Sequence, residues 1–334
     1  MAVSDVGTDT NIAARLELRP YAGEADLAEM VRIHNAEAAA DKLPYRTTVE
    51  ELRSHLSHAS ESFTPARDIT IAELDGRVVA TAMREVVDTT DGFREFRLDG
   101  EVDPAFRRRG IGKLLLEDGM RRQREQQVTD GSDKPPIFGS WSSERQPGDV
   151  ALLEAAGFEP MRYFFEMVRP NLDDIPERPL PDGLEIRPID RSLARKVWDA
   201  DVEAFQDHWG GFDGSEAHLQ RWLENPNTDL SLWVVAFDGD EVAAGIINAI
   251  DREQNAQLGI QRGWLNSVFT RRPWRRRGIA SSLIVESFRR HRERGMTSAG
   301  LGVDGDNPNG AFGLYESLGF EREMASTAWR KAFS

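Results

Sequence analysis

The chain has 334 residues, 40% hydrophobic and 30% charged, with a net charge of −15 and no cysteine. These values describe a folded chain long enough for two domains, and they exclude disulfides, thiolate nucleophiles and cysteine metal sites. The acidic balance argues against nucleic acid or an acidic membrane as partner, no run approaches the roughly 18 apolar residues of a membrane span, and the N-terminus lacks a signal-peptide core. A cytoplasmic location is expected.

In chain order, an alternating strand "LELRP" (16–20) leads into a helical segment, 25–40. "ITIAELDGRVVATAM" follows, two strands around Asp75-Gly76, a hairpin signal. A strand over 96–102 then enters "VDPAFRRRGIGKLL" (102–115), which opens a helix, and "EAAGFE" lies at 154–159. The segment "PNLDDIPERPLPDG" contains Pro170, Pro176, Pro179 and Pro181 and reads as a semi-extended linker, since proline continues neither helix nor ladder.

Beyond it the pattern returns. "LEIRP" (184–188) and "RRRGIA" (275–280) each stand 168 residues after their first-copy counterparts, and "ESLGFE" (316–321) stands 162 after its own. Repeats in one order at nearly one offset mark a duplicated domain. The expected domains are 1–174 and 175–334. The second copy has a helical segment over 190–206, a hairpin around Asp238-Gly239, a strand over 264–270 and a helix with Ile279, Leu283, Ile284, Phe288 and His291 on one face. The fold class expected is α/β (α+β), each copy a mixed sheet flanked by helices.

The order strand, Arg-x-x-Gly-x-Gly/Ala, helix has a direct physical meaning. Gly110 and Gly278 permit a tight turn, and the helix start presents unpaired backbone N–H groups, an anion cradle suited to a diphosphate. Small residues at 112 and 280 allow close approach, and the flanking arginines add charge-assisted contacts. A solvated arginine-rich helix start is the bland alternative.

At these residues the chain resembles the GNAT acetyltransferase superfamily. Arg107-Arg108-Arg109-Gly110-Ile111-Gly112 and Arg275-Arg276-Arg277-Gly278-Ile279-Ala280 both fit its acetyl-CoA signature, and "DNPNGAFGLYESLGF" (306–320) is similar to its second signature. The duplicated layout is similar to that of mycothiol synthase-like acetyltransferases. The resemblance implies two tandem GNAT-like domains with mostly antiparallel sheets, acetyl-CoA as cosubstrate, and transfer to a primary amine of a small molecule. It places Val268, Phe269 and Thr270 along the pantetheine arm and Arg275 to Ser281 at the diphosphate. It puts Asn307 on the cofactor arm and Tyr315 as proton donor to the departing thiolate. Val102 and the loop Arg107 to Gly112 are the equivalent first-copy positions.

The copies differ at the second signature. Leu153 stands opposite Tyr315, Arg145 opposite Asn307 and Pro147 opposite Asn309. The first copy is therefore expected to be catalytically degenerate. Where relatives carry a strand carboxylate the second copy has Ser267 beside Asn266, leaving Glu203, Asp251 and Glu253 as candidate bases acting through water. Phe205, His208, Trp209 and Trp264 are candidates for the acceptor wall.

No metal site is expected. "DGDNPNG" (304–310) fails as a calcium loop, having Asn309 where a glycine is required, and His55 with His58 lacks further ligands. A monomer or homodimer fits the sequence equally. A different class of function stays open at this point, a CoA-binding sensor or structural pseudoenzyme without turnover.

Overall fold

A computed structural model describes residues 15–57, 62–206, 209, 214–306 and 310–333. Twelve strands form one sheet in the order β1-β2-β3-β4-β5-β12-β6-β11-β10-β9-β8-β7. In the first copy these are β1 (Leu16–Pro20), β2 (Ile69–Leu74), β3 (Arg77–Asp88), β4 (Arg94–Val102), β5 (Pro136–Ser143) and β6 (Glu159–Arg169). In the second they are β7 (Glu185–Arg187), β8 (Val234–Asp238), β9 (Glu241–Ala249), β10 (Arg262–Thr270), β11 (Ser298–Asp304) and β12 (Glu321–Ala332).

Nearly every neighbouring pair is antiparallel; β4–β5 and β10–β11 are parallel. Both hairpins form. The first turns at Asp75 and Gly76, which have φ of 52° and 77°, both left-handed as a tight two-residue turn requires. The second turns one residue later than the sequence suggests, because Asp238 pairs with Glu241 and leaves Gly239 and Asp240 at the tip.

The duplication does not fold as two closed units. The closing strand of each copy crosses to the other: β12 lies against β5, and β6 lies against β11. These strands also pair antiparallel with each other, Glu321↔Val168 through Arg330↔Glu159. Side chains fix the exchange. Arg330 on β12 is buried in the first half, donating to Glu95 Oε2 at 2.8 Å and Asp91 Oδ2 at 2.6 Å. Trp329 Nε1 donates to Ser142 Oγ at 2.8 Å. Removing one partner of such a buried ion pair costs about 3–5 kcal/mol.

Helices cover both faces. In the second half the helix Ile279–Glu293 packs Leu283, Ile284 and Phe288 on one face, and the helix Arg191–Phe205 packs Ala194, Val197 and Ala204 on the other. Burying a side chain such as Phe288 stabilises by about 2–3 kcal/mol. Residues 170–183 form neither helix nor strand. Among the described residues no helix is long and apolar enough to cross a membrane, and no group of three or more His, Cys, Asp or Glu could hold a metal.

Candidate active site

Each copy opens its sheet at the same place. Parallel pairing of β10 with β11 covers only Arg262–Leu265 against Ser298–Leu301. Pairing of β4 with β5 covers only Arg94–Arg97 against Pro136–Gly139. Beyond these points the strands splay and leave backbone groups of 266–270 and 98–102 facing a cleft. The arginine-glycine loop closes each cleft at the start of a helix, Ile111–Asp130 or Ile279–Glu293.

The loops are near-copies. Arg108 and Arg276 both have φ of 62°, and Gly110 and Gly278 have φ of 83° and 80°. Two left-handed residues in four bend the chain so that the first-turn N–H groups, which have no partner inside a helix, converge on the cleft. A Cβ on Gly110 would meet nothing within 4 Å, and one on Gly278 would meet only Ser281 Oγ at 4.0 Å. The positions are open toward ligand space, and the backbone conformation demands glycine. This donor set fits a diphosphate.

The arginines behave differently from the charge-assisted contacts expected of them. Arg275 donates from Nε to Thr270 O at 3.0 Å and from Nη2 to Ala204 O at 3.3 Å, tying the loop to the strand end and the helix Arg191–Phe205. Arg107 makes a bidentate pair with Asp41, both contacts 2.7 Å, and lies 3.2 Å from Glu37. Arg109 lies over the Phe106 ring. Arg276 and Arg277 are exposed, and Arg276 lines the cleft.

The second cleft has a volume of about 730 Å³ and takes in Val268, Phe269, Thr270, Gly278, Ile279, Ala280, Ser281, Phe205 and Tyr315. Tyr315 sits on the short helix Ala311–Ser317, 6% exposed, its ring edge-on to Phe320. Burial pushes its phenol up to about 12, which keeps the proton on oxygen at neutral pH. Asn307 and His208 lie outside the described residues.

The first cleft is larger, about 920 Å³, and differs where chemistry would occur. Leu153 lines it in place of a tyrosine. Val102 N–H, the counterpart of the strand donors offered to a cofactor arm, donates to Glu37 Oε2 at 3.0 Å. Asp99, exposed to solvent, also faces this cleft. Burial pushes Glu37 up to about 7.

Two features of the second half escaped sequence reasoning. β10 carries a bulge against β9 between Leu265 and Ser267, which turns Asn266 outward; β4 pairs with β3 without one. Bulges re-aim side chains and are common beside active sites. Asn266 thereby forms a wall shared by the cleft and a second cavity of about 350 Å³. That cavity is lined by Trp264, Glu166, Tyr45, Glu51 and Asp251, so both halves build it. Trp264 Nε1 and Glu166 Oε2 are buried there without partners. Burial, with Glu323 nearby, pushes Glu166 up to about 7, and Glu51 is raised by burial and by Asp251 beside it.

The other feature is Asp201, fully buried on the helix Arg191–Phe205, whose Oδ1 accepts from Ser267 Oγ at 2.7 Å. Its signal was present: Ala194, Val197, Trp198, Asp201 and Ala204 share the buried helical stripe. The carboxylates weighed as bases are held differently, Asp251 alone of them lining the smaller cavity. Glu203 pairs with Arg271, Glu253 is exposed, and Asp251 caps the helix Arg252–Leu258. Trp209 lies against Phe164 and beneath the Arg162 and Arg330 guanidiniums, outside the lining of the second cleft and of the smaller cavity.

Residues 195–320 match the acetyltransferase (GNAT) family. The chain is 26% identical over 309 residues to the mycothiol acetyltransferase of Salinispora arenicola, covering 92% of this chain and 93% of that protein. It is 29% identical over 229 residues to the mycothiol acetyltransferase of Brachybacterium faecium, covering 67% and 64%. Among solved structures, a GCN5-related N-acetyltransferase from Sphaerobacter thermophilus matches with a TM-score of 0.71 and 24% identity over 96% of each chain. A tandem GNAT protein from the clavulanic acid biosynthesis pathway matches with a TM-score of 0.71 and 16% identity, covering 96% of this chain and 99% of that one. Those two likenesses show the fold. Taken together, the match over 195–320, the acetyltransferases among the relatives and the fold support an acyltransferase. The chain is of the tandem type, similar along most of its length to mycothiol acetyltransferases. GNAT acetyltransferases use acyl-CoA as cosubstrate.

Proposed function

We propose that the second cleft transfers an acetyl group from acetyl-CoA to a primary amine of a small molecule by direct attack, and that the first half, residues 1–174, is catalytically silent. The observation that carries this is the asymmetry of the clefts. Gly278, the helix start and Tyr315 line one cavity, while the equivalent cavity has Leu153 and a strand N–H taken by Glu37.

Residues 279–281 hold the diphosphate with backbone N–H groups, and the splayed edge Val268–Thr270 pairs with the pantetheine arm. Acetyl-CoA, when bound, supplies the acyl group as a thioester. Tyr315 delivers a proton to the departing sulfur. The amine enters through the smaller cavity that meets the cleft at Asn266. There Glu166, Glu51 and Asp251 attract a cation and Trp264 offers an indole N–H. The mycothiol acetyltransferases named above point the same way, toward a small acceptor. On this reading the first half shapes the enzyme by contributing Tyr45, Glu51 and Glu166 to the acceptor wall.

Thiol release from acetyl-CoA across a panel of amines, together with native mass spectrometry, tests this. Turnover with at least one amine is expected. CoA bound tightly with no turnover on any amine would replace the transferase with a CoA sensor.

A further inference from the structure

Resting on that transfer reading, we propose that Ser267 and Asp201 form a proton relay that takes the proton from the acceptor's ammonium group. Ser267 follows the bulged Asn266, lines the cleft, and donates its hydroxyl hydrogen to Asp201 behind it. The base that β10 lacks is thus supplied from the neighbouring helix, one hydroxyl further back.

Asp201 is 0% exposed, and its second oxygen, Oδ2, has no partner. A buried carboxylate with an idle oxygen and no cation costs stability rather than adding it. Packing does not demand it either. The residue 168 positions earlier is Ile33, equally buried, and Asp99 stands in the first copy where Ser267 stands in the second. One copy has a carboxylate on the strand and an apolar residue on the helix. The other has a hydroxyl on the strand over a carboxylate.

The surroundings leave the carboxyl free to take a proton. Burial raises it to about 7, and the Ser267 hydroxyl, which favours the ionised form, offsets only part of that rise. β9 presents Val242 and Ile247 to this layer, and on the helix Glu216–Glu224 His218 lies against Trp198, one turn away from Asp201. Arg271 is engaged by Glu203 and Glu241, and Arg275 by the carbonyls of Thr270 and Ala204.

The proton balance closes. One N–H bond of the ammonium breaks and its proton goes to Ser267 Oγ as the serine proton goes to Asp201. The freed lone pair attacks the acetyl carbon, the C–N bond forms and the C–S bond breaks. Sulfur takes the Tyr315 proton, and the new amide nitrogen gives its surplus proton back to that phenolate. Asp201 returns its proton through Ser267 to solvent. Ammonium and acetyl-CoA become amide, thiol and one released proton.

The experiment compares ethylamine with trifluoroethylamine, which have nearly the same size and very different basicity. At neutral pH the first is an ammonium and the second is already neutral. Asp201→Asn and Ser267→Ala should lower kcat/KM for ethylamine by about 100-fold or more, and for trifluoroethylamine only slightly. The acidic limb of the ethylamine pH profile should move toward higher pH in both variants. Melting curves and acetyl-CoA affinity report folding, and Ser267→Ala alone decides if the asparagine variant does not fold. Equal losses with the two amines, or an unmoved limb, would overturn the relay. Wild-type protein that turns over neither of these amines nor any of the wider panel would instead overturn the transfer reading beneath it.

Discussion

Tyr315→Phe removes one oxygen from the cleft and little else. The ring contact with Phe320 is retained, and no hydrogen bond holds the hydroxyl to the protein among the described contacts. Stability should therefore change by less than about 1 kcal/mol, as for a hydroxyl without a partner. The chemical effect is far larger. A positioned general acid contributes roughly 10²–10⁴ in rate, or about 3–5 kcal/mol at 1.36 kcal/mol per decade. Burial holds the phenol near 12, so it delivers its proton only as sulfur charge develops. Thiol release under saturating acetyl-CoA should show kcat reduced at least about 100-fold with acetyl-CoA affinity unchanged. A loss below about threefold would refute the role of the tyrosine, whatever its position.

Other outcomes follow from particular residues. Gly278→Ala places an L residue at φ 80°, costing about 1–2 kcal/mol and directing a methyl group into the diphosphate cradle; acetyl-CoA affinity should fall about tenfold or more by calorimetry. Gly110→Ala, at φ 83°, should lower the melting temperature similarly while leaving turnover intact. Deleting 321–334 removes β12 and with it Arg330 and Trp329, leaving buried Glu95 with only Arg97 at 3.2 Å and β5 without its neighbour; the product should fail to give a cooperative melt by circular dichroism. Stability should decline with rising pH. Burial holds Asp201 near 7, well above the ordinary carboxylate range, so its contribution is complete below about pH 4 and is lost as pH rises through about 7. That displacement bounds the effect at about 4 kcal/mol, and Asp201→Asn should flatten that part of the melting temperature against pH curve.

The sequence revealed what local rules govern. Gly110 and Gly278 announced their left-handed turns by position, the hairpins by Asp-Gly steps, and the core helix face by the spacing of Ile279, Leu283, Ile284 and Phe288. Tyr315 was legible through its contrast with Leu153. Long-range pairings were not. Alternation does not say which of β5 or β11 the strands β6 and β12 will join, and the pair that fixes the choice, Arg330 with Glu95, is 235 residues apart in the chain. Nor does "LNSV" advertise a bulge. Asp201 was hidden among Asp199 and Glu203, and only helical phase separates the one that points inward. The arginine run was read as ligand-facing charge; Arg107 and Arg275 instead bind the protein, the first through Asp41 at a helix end and the second through carbonyls of Thr270 on β10 and Ala204 on the helix Arg191–Phe205.

The crossing of β6 and β12 carries a consequence for how such a chain came to exist. In a single copy the slot beside the fifth strand would be filled by that copy's own sixth strand or by one from a second copy, and two such chains can satisfy each other by reciprocal exchange. Joining them through 170–183 replaces a concentration-dependent encounter with an intramolecular one at an effective concentration on the order of millimolar. Fusion also frees each half to diverge, because a change in one is no longer copied into its mate.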